Sequence, residues 1–502
     1  VSTQTATAPA PVRPLNVILI TSDEMRADCP GFMGNPDCRT PRLDQLARQG
    51  VVFEQHFSVH GKCVPSRIAM MTGRYPHTDG FRTIHQHLPA DQPNLLAFLR
   101  RQGYETAVFG HNHVWENLFA GEEQHKQRSD GAADYHSFVA PFHDLAFTEH
   151  AVPTADQPVA CMIPGDGTLH SGRIDGVVRG FADINRAQQA VKYLTQVRDR
   201  TRPFYLQVNM SSPHPAYRVE EPFFSMYDRA ALRAWPHDLP RNAPLPLRGM
   251  REIRTGMDIS ERALREVQAV YYGMVSRVDR DIGIVLECLE REGLCDNSIV
   301  LFTSDHGDFA GQYGLIEKWD TCMADCILRA PLIVAAPGLA RGMRVTGLSE
   351  HVDLPGTILD LLGLAPDWGV HGTSLVPLLH GAPGKEAVFA DGGHEEEMWP
   401  RFNFSEADKQ GVPAVLNGKQ RTYQQHPASM ARTKMVRTAT HKLVVRLAGG
   451  NELYGIEQDP WELDNRWGDP ALREVALDLQ QKMIAWCLRT DTDRPHQQTV
   501  GA

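Results

Sequence analysis

The chain has 502 residues, is 42% hydrophobic and 22% charged, and carries a formal net charge of −10 at pH 7. These are ordinary proportions for a soluble globular protein, and the length suits about three domains, or one large domain with a smaller one. The negative balance excludes a general nucleic-acid binder, which needs a basic face, and no apolar run approaches the ~20 residues that span a bilayer.

Residues 1–14 show no basic-then-apolar signal pattern and are expected to form a disordered or extended lead-in. Nearly continuous apolar runs at 16–21, 106–109, 204–208, 299–303 and 332–336 predict strands covered on both faces. That is the signature of a largely parallel sheet flanked by helices, an α/β fold. Thr40-Pro41 opens a helix with an N-cap and a proline in its first turn; Leu43, Leu46 and Ala47 share a face, and Gly50 closes it. A longer pattern over 261–292 carries Val267, Val270, Tyr271, Met274, Val278 and Ile282 at helical spacing, which reads as core. The character changes after residue 381. Short β-like runs at 434–437 and 442–447 and an amphipathic stretch near 474–488 predict a smaller α+β subdomain over 382–502, behind a larger domain over 15–381. The nine cysteines show no disulfide framework, and Cys322 and Cys326 lack a second pair at zinc spacing.

In open α/β sheets, ligand sites form beyond the carboxyl ends of strands. Polar residues follow each of the first four predicted strands: Asp23-Glu24, then Gly110-His111-Asn112-His113, then Pro213-His214, then Asp305-His306. Asp23, Glu24, Asp305 and His306 form a divalent-metal set of hard carboxylates and one imidazole, with Gly307 allowing close backbone approach. The oxygen-rich set suits calcium first, while the imidazole leaves manganese or magnesium open. Helix capping by Asp23-Glu24 and a turn at Asp305-His306 are the alternatives. Cys63-Val64-Pro65-Ser66-Arg67 places a thiol at a predicted helix start beside a guanidinium, which reads as an activated, low-pKa nucleophile or as a buried structural cysteine.

The pentapeptide at 63–67 resembles the C-x-P-S-R signature of the sulfatase family. Further similarities follow in order over about residues 15–380: Ser22-Asp23-Glu24, Thr72-Gly73-Arg74-Tyr75-Pro76-His77, the stretch from Gly103-Tyr104 to His113, Pro213-His214, Ser304-Asp305-His306-Gly307 and Glu317-Lys318-Trp319. The resemblance implies an alkaline-phosphatase-like fold and hydrolysis of sulfate esters, of a carbohydrate or an aryl alcohol. It also implies that a maturation enzyme oxidises Cys63 to Cα-formylglycine, which joins the metal ligands and whose hydrate attacks sulfur in line to give a sulfated intermediate. By the same pattern His214, assisted by Lys318, protonates the departing alcohol, and His113 removes the proton that lets inorganic sulfate leave. Arg67 and Lys318 would neutralise the sulfuryl group.

Two departures from the family pattern matter. His111 stands where the family usually has lysine, replacing a permanent cation by a titratable one. His306 stands where many animal members have asparagine, a variant similar to bacterial sulfatases and to the related phosphonate monoester hydrolases. A phosphonate monoester or phosphodiester hydrolase therefore stays open, as does an inactive protein that binds sulfated glycans. The compartment stays open between the bacterial cytoplasm and the periplasm. Trp115, His394, Trp399 and Arg401 are either a substrate rim or loop structure.

Overall fold

The computed structural model describes residues 14–110, 112–115, 161–162, 170–174, 183–394, 422–423 and 425–491, less residues 85, 90, 256 and 258. His111, Trp399 and Arg401 lie outside these residues.

Seven strands form the main sheet: β1 (Asn16–Asp23), β2 (Val51–Phe53), β3 (Glu105–Gly110), β4 (Phe204–Pro213), β5 (Ser298–Ser304), β6 (Leu332–Ala335) and β7 (Met343–Val345). Their order is β7-β2-β6-β5-β1-β4-β3. The pairs β5/β1, β1/β4 and β4/β3 are parallel, whereas β6 runs antiparallel to both β5 and β2. The five predicted strands are all present, and β6 alone among the seven is reversed. Apolar composition marks a strand as covered on both faces but carries no direction, so the reversal has no sequence signal.

Helices cover both faces. On one, α1 (Pro41–Gln49) and the long α3 (Glu261–Arg291) pack with Ile18, Ile20, Leu206 and Val208; on the other, α2 (Cys63–Thr72) packs with Val17, Leu19, Ile299 and Leu301. Alternation along β1 thus divides its side chains between two fully buried layers. Each such aliphatic side chain contributes about 1.5–3 kcal/mol on burial.

The start of α1 departs from expectation. The Thr40 hydroxyl does not cap the helix; it accepts from the Gly31 N–H (2.8 Å) and donates to Asp44 (2.9 Å). The cap comes from α3 instead, where the Asp279 carboxylate accepts the N–H groups of Arg42 (3.1 Å) and Leu43 (2.8 Å). Two of the helix's unpaired amides are thereby satisfied from a residue distant in sequence.

Beyond the main sheet, β8 (Val388–Gly392), β9 (Thr433–Arg437), β10 (His441–Arg446) and β11 (Glu452–Gly455) form an antiparallel sheet in sequential order, covered by α4 (Arg473–Thr490). Val388, Met435 and Val444 of this sheet share one apolar cluster with Phe57, Trp319 and Ile327. No helix among the described residues is long and apolar enough to cross a membrane.

Candidate active site

The central strands β5, β1 and β4 run side by side, so their carboxyl ends deliver Asp305, Asp23 and the segment leading to His214 to one edge. Cys63 is the first residue of α2. One ligand atom from each of Asp23, Cys63, Asp305 and His306 falls within a 4.8 Å group, and Asp23, Glu24 and His214 form a second such group. All but His214 are buried. The Cys63 Sγ lies 3.7 Å from Asp23 Oδ1 and 3.4 Å from His306 Nε2.

Arg67 sits one turn along α2 from Cys63. Its Nε–H donates to Asp305 Oδ2 (2.8 Å) and its Nη2–H to Asp23 Oδ2 (3.2 Å), while Nη1 donates to Thr21 Oγ1 and Asn209 Oδ1 (3.1 and 3.2 Å). One guanidinium therefore ties β1, β4, β5 and α2 together. Ser66 adds a second tie, donating its hydroxyl to the Asp305 carbonyl at 2.6 Å.

The electrostatics follow from burial and from which charges touch. Burial works against ionised Asp23, yet His214, Arg67, His113 and Lys318 around it hold its carboxyl well below the usual range. Asp305 goes the other way: burial and the neighbouring Asp23 push it up against Arg67 and His306. For Cys63, burial and the carboxylates of Asp23 and Asp305 push the thiol far up, outweighing Arg67 and Lys62. The low-pKa thiolate suggested by the helix start is thus corrected: the guanidinium expected to activate the sulfur is already paired with two carboxylates.

Several of these residues are held in uncommon backbone. Glu24, His113 and Glu317 have φ of 65°, 55° and 62°, a region where non-glycine residues are costly and which clusters at functional sites. Around Glu24 the supports are explicit. Its N–H donates to Asp305 Oδ1 (3.1 Å), the Met25 N–H to Ser304 Oγ (2.8 Å), and the Tyr271 hydroxyl donates to the Glu24 carbonyl (2.5 Å) while accepting from the Arg26 N–H (3.0 Å). Gly307 permits the close approach expected of it: a Cβ there would lie 2.0 Å from the Cys326 carbonyl oxygen.

Both carboxylate oxygens of Glu24 are buried without a hydrogen bond, and the Lys318 ammonium lies against Oε1. The His306 Nδ1 is 2.9 Å from the Gly307 carbonyl, which fixes the proton on Nδ1 and leaves the Nε2 lone pair facing the carboxylates. Asp23, Asp305 and the His306 Nε2, beside Cys63, are a donor set that could hold a hard divalent cation, while Glu24 groups with Asp23 and His214.

Around this core, His214 Nε2 lies 3.4 Å from Glu24 Oε1, with Nδ1 2.5 Å from the Pro215 carbonyl. His113 Nδ1 is 3.9 Å from Asp23 Oδ2. The segments bearing His214 and Lys318 meet at the Tyr217 hydroxyl, which donates to Asp308 Oδ1 (2.8 Å) and accepts from the Glu317 N–H (2.8 Å). His394, expected at a rim or in a loop, is buried, with Nε2 3.3 Å from Asp320 Oδ2; Asp320 in turn pairs with Lys62, next to Cys63, at 3.0 Å. Trp115 packs against the apolar core beneath α2.

Sequence reasoning missed Asn209, Tyr217, Ser304 and Tyr271. Tyr271 reads as core by its helical spacing, and Asn209 follows an apolar run that looks complete without it. A polar residue directly after such a run was the one available signal for Asn209.

The family profile described as Sulfatase matches residues 15–364. The chain is 28% identical to the "Multifunctional alkaline phosphatase superfamily protein PehA" of Trinickia caryophylli over 94% of this chain and 95% of that protein. It is 27% identical to the "Ulvan-active sulfatase" of Formosa agariphila over 74% of this chain and 65% of that protein. Among solved structures, the phosphonate monoester hydrolase of Agrobacterium radiobacter superposes with a TM-score of 0.74 at 22% identity, covering 95% of this chain and 96% of that one. The chain belongs to the sulfatase family, enzymes that hydrolyse sulfuric esters, and it has the alkaline-phosphatase-like fold.

Proposed function

We propose that this member of the sulfatase family hydrolyses the sulfate ester of a carbohydrate or an aryl alcohol, using residue 63 as Cα-formylglycine and one divalent metal ion, calcium first. The observation that carries the reading is the meeting of Cys63 with Asp23, Asp305 and His306 in one buried 4.8 Å group. A thiol nucleophile gains nothing there, because those carboxylates raise its pKa. Asp23, Glu24, Asp305 and His306, with residue 63, would hold the ion. When bound, the ion and the modified residue supply Lewis-acid polarisation of the ester and an attacking hydrate oxygen.

The chain's own residues do the rest. Arg67 orients the two carboxylates it pairs with. His214, with Nδ1 fixed toward the Pro215 carbonyl, offers Nε2 to protonate the departing alcohol oxygen. Lys318 balances the charge of Glu24 and assists at the sulfuryl group. His113 takes the proton that accompanies sulfate release, and His111 contributes to sulfate binding. The reading also requires a maturation enzyme that acts on Cys63, and it keeps residues 15–381 as the catalytic unit.

A second reading, a phosphonate monoester or phosphodiester hydrolase using the same groups, is favoured by His306 and by the match to a multifunctional relative over nearly the whole of both chains. Mass spectrometry of the residue 63 peptide, with kcat/KM for an aryl sulfate and an aryl phosphonate on the same preparation, tests both. Unmodified Cys63 in fully active protein overturns the mechanism, and a much larger kcat/KM for the phosphonate overturns the substrate. Glycan binding without turnover in fully modified protein would instead favour the inactive binder.

A further inference from the structure

A cleft of about 550 Å³ opens where the loop after β1, the Asp325–Leu328 helix and the chain following β11 meet. None of the residues proposed above for catalysis or metal binding lines it. Its volume falls within the usual range for small-molecule sites.

The charges that line it are nearly all paired. Asp28 pairs with Arg26 (2.7 Å), Asp325 with Arg437 (3.1 Å), Glu462 with Lys442 (2.5 Å), and Glu54 with Arg344. The exceptions are exposed Glu457 among the carboxylates and Arg329 among the cations. Its Nε–H donates to the Glu54 carbonyl (2.9 Å), and among the described residues its Nη1 and Nη2 make neither a hydrogen bond nor an ion pair. Arg329 is only partly exposed, and burial, with Arg437 nearby, lowers its pKa despite Asp325, Asp28 and Glu54. Neither Nη atom is sealed from solvent, so this edge is open to an anion that enters the cleft. Leu348, Ile456, Pro460 and Trp461, the last 39% exposed, give the cleft an apolar lining as well.

We propose that this cleft binds a small organic monoanion, a carboxylate with an aromatic or other apolar body, whose head group pairs with Arg329 and whose body lies against Trp461. With Nε engaged by Glu54, the Nη1/Nη2 edge is left, and its two N–H groups match the two oxygens of a planar carboxylate. The charge count favours a monoanion over a phosphate or sulfate dianion. Only one cation lacks a carboxylate partner, and Glu457 stands exposed at the edge. The site is independent of the chemistry proposed for residue 63.

The test is calorimetric titration of the full-length, metal-loaded protein with phenylacetate. One saturable site is expected, weakened about tenfold or more by Arg329→Gln, since a charge-assisted bidentate pair is lost. Trp461→Ala, which truncates a 39%-exposed side chain, should weaken it severalfold, and it carries the test if Arg329→Gln does not fold. Both variants should hydrolyse the aryl ester as the parent does. No saturable binding, unchanged affinity in the variants, or binding that disappears with the divalent ion would each overturn the proposal; the last would mean that phenylacetate occupies the catalytic centre.

Discussion

Arg67→Met removes the one guanidinium that contacts both Asp23 and Asp305 while keeping a side chain of similar reach. Two unit charges about 4 Å apart interact by ~4 kcal/mol at the effective dielectric that suits protein sites. The contacts here, at 2.8 and 3.2 Å, are between groups almost wholly enclosed. Breaking a buried pair costs about 3–5 kcal/mol because the partner charges stay buried and uncompensated. The variant should therefore lose about 3–5 kcal/mol of unfolding free energy in the presence of a chelator. A divalent ion bound by the same carboxylates supplies the missing positive charge, so excess calcium should stabilise the variant more than the parent and narrow the gap. Urea unfolding with chelator and with calcium measures both terms. A deficit that calcium leaves unchanged would refute the assignment of Asp23 and Asp305 as ligands, and a deficit below about 1 kcal/mol would refute the burial argument.

His214→Ala should slow hydrolysis by about 10²–10⁴, most for poor leaving groups such as sugar alcohols; an equal loss for activated aryl esters counts against a general acid. Tyr217→Phe deletes one hydroxyl that both donates to Asp308 and supports the Glu317 N–H. It should cost about 1–3 kcal/mol of stability and lower kcat more than it raises KM, and unchanged kcat argues that Tyr217 does not position Lys318. Burial, with Asp44 nearby, pushes Asp279 up to about 7 against the Leu43 and Arg42 amides. Its folded pKa lies above its unfolded one, so the native state holds the proton more tightly. Its contribution is full below about pH 4 and declines by up to ~4 kcal/mol as pH rises to about 7. Asp279→Asn should flatten that decline, and an unaltered pH slope in urea midpoints would discount the effect.

What the sequence made legible was whatever depends on neighbours in the chain. The apolar runs located β1, β3, β4, β5 and β6, and the spacing of Val267, Val270 and Met274 located α3, because burial imposes a period. Long-range chemistry was harder. Thr40 is a sound cap by local rules, yet Asp279 does the capping, since tertiary placement decides which oxygen faces the amides. Cys63 illustrates the same limit with opposite sign: its chain neighbours favour a thiolate, and carboxylates from β1 and β5 reverse that. The phenols of Tyr217 and Tyr271 hide among core positions, because nothing local records where a hydroxyl points. The meeting of Asp23, Asp305 and His306, in contrast, was readable from strand ends alone, since a parallel sheet delivers those ends to one edge.

The order β5-β1-β4 at the middle of the sheet also has a temporal side. The Glu24 amide and the Asp305 carboxylate that holds it are 281 residues apart. At the usual ~5–20 residues per second of synthesis, roughly 15–60 s pass between the emergence of the first and the second. Until β5 emerges α2 lacks one of the strands it packs on, and Cys63, only 5% exposed in the finished protein, lacks its contact with His306. If residue 63 is modified as proposed, the slow closure of a high-contact-order sheet sets the time its maturation enzyme has to reach it.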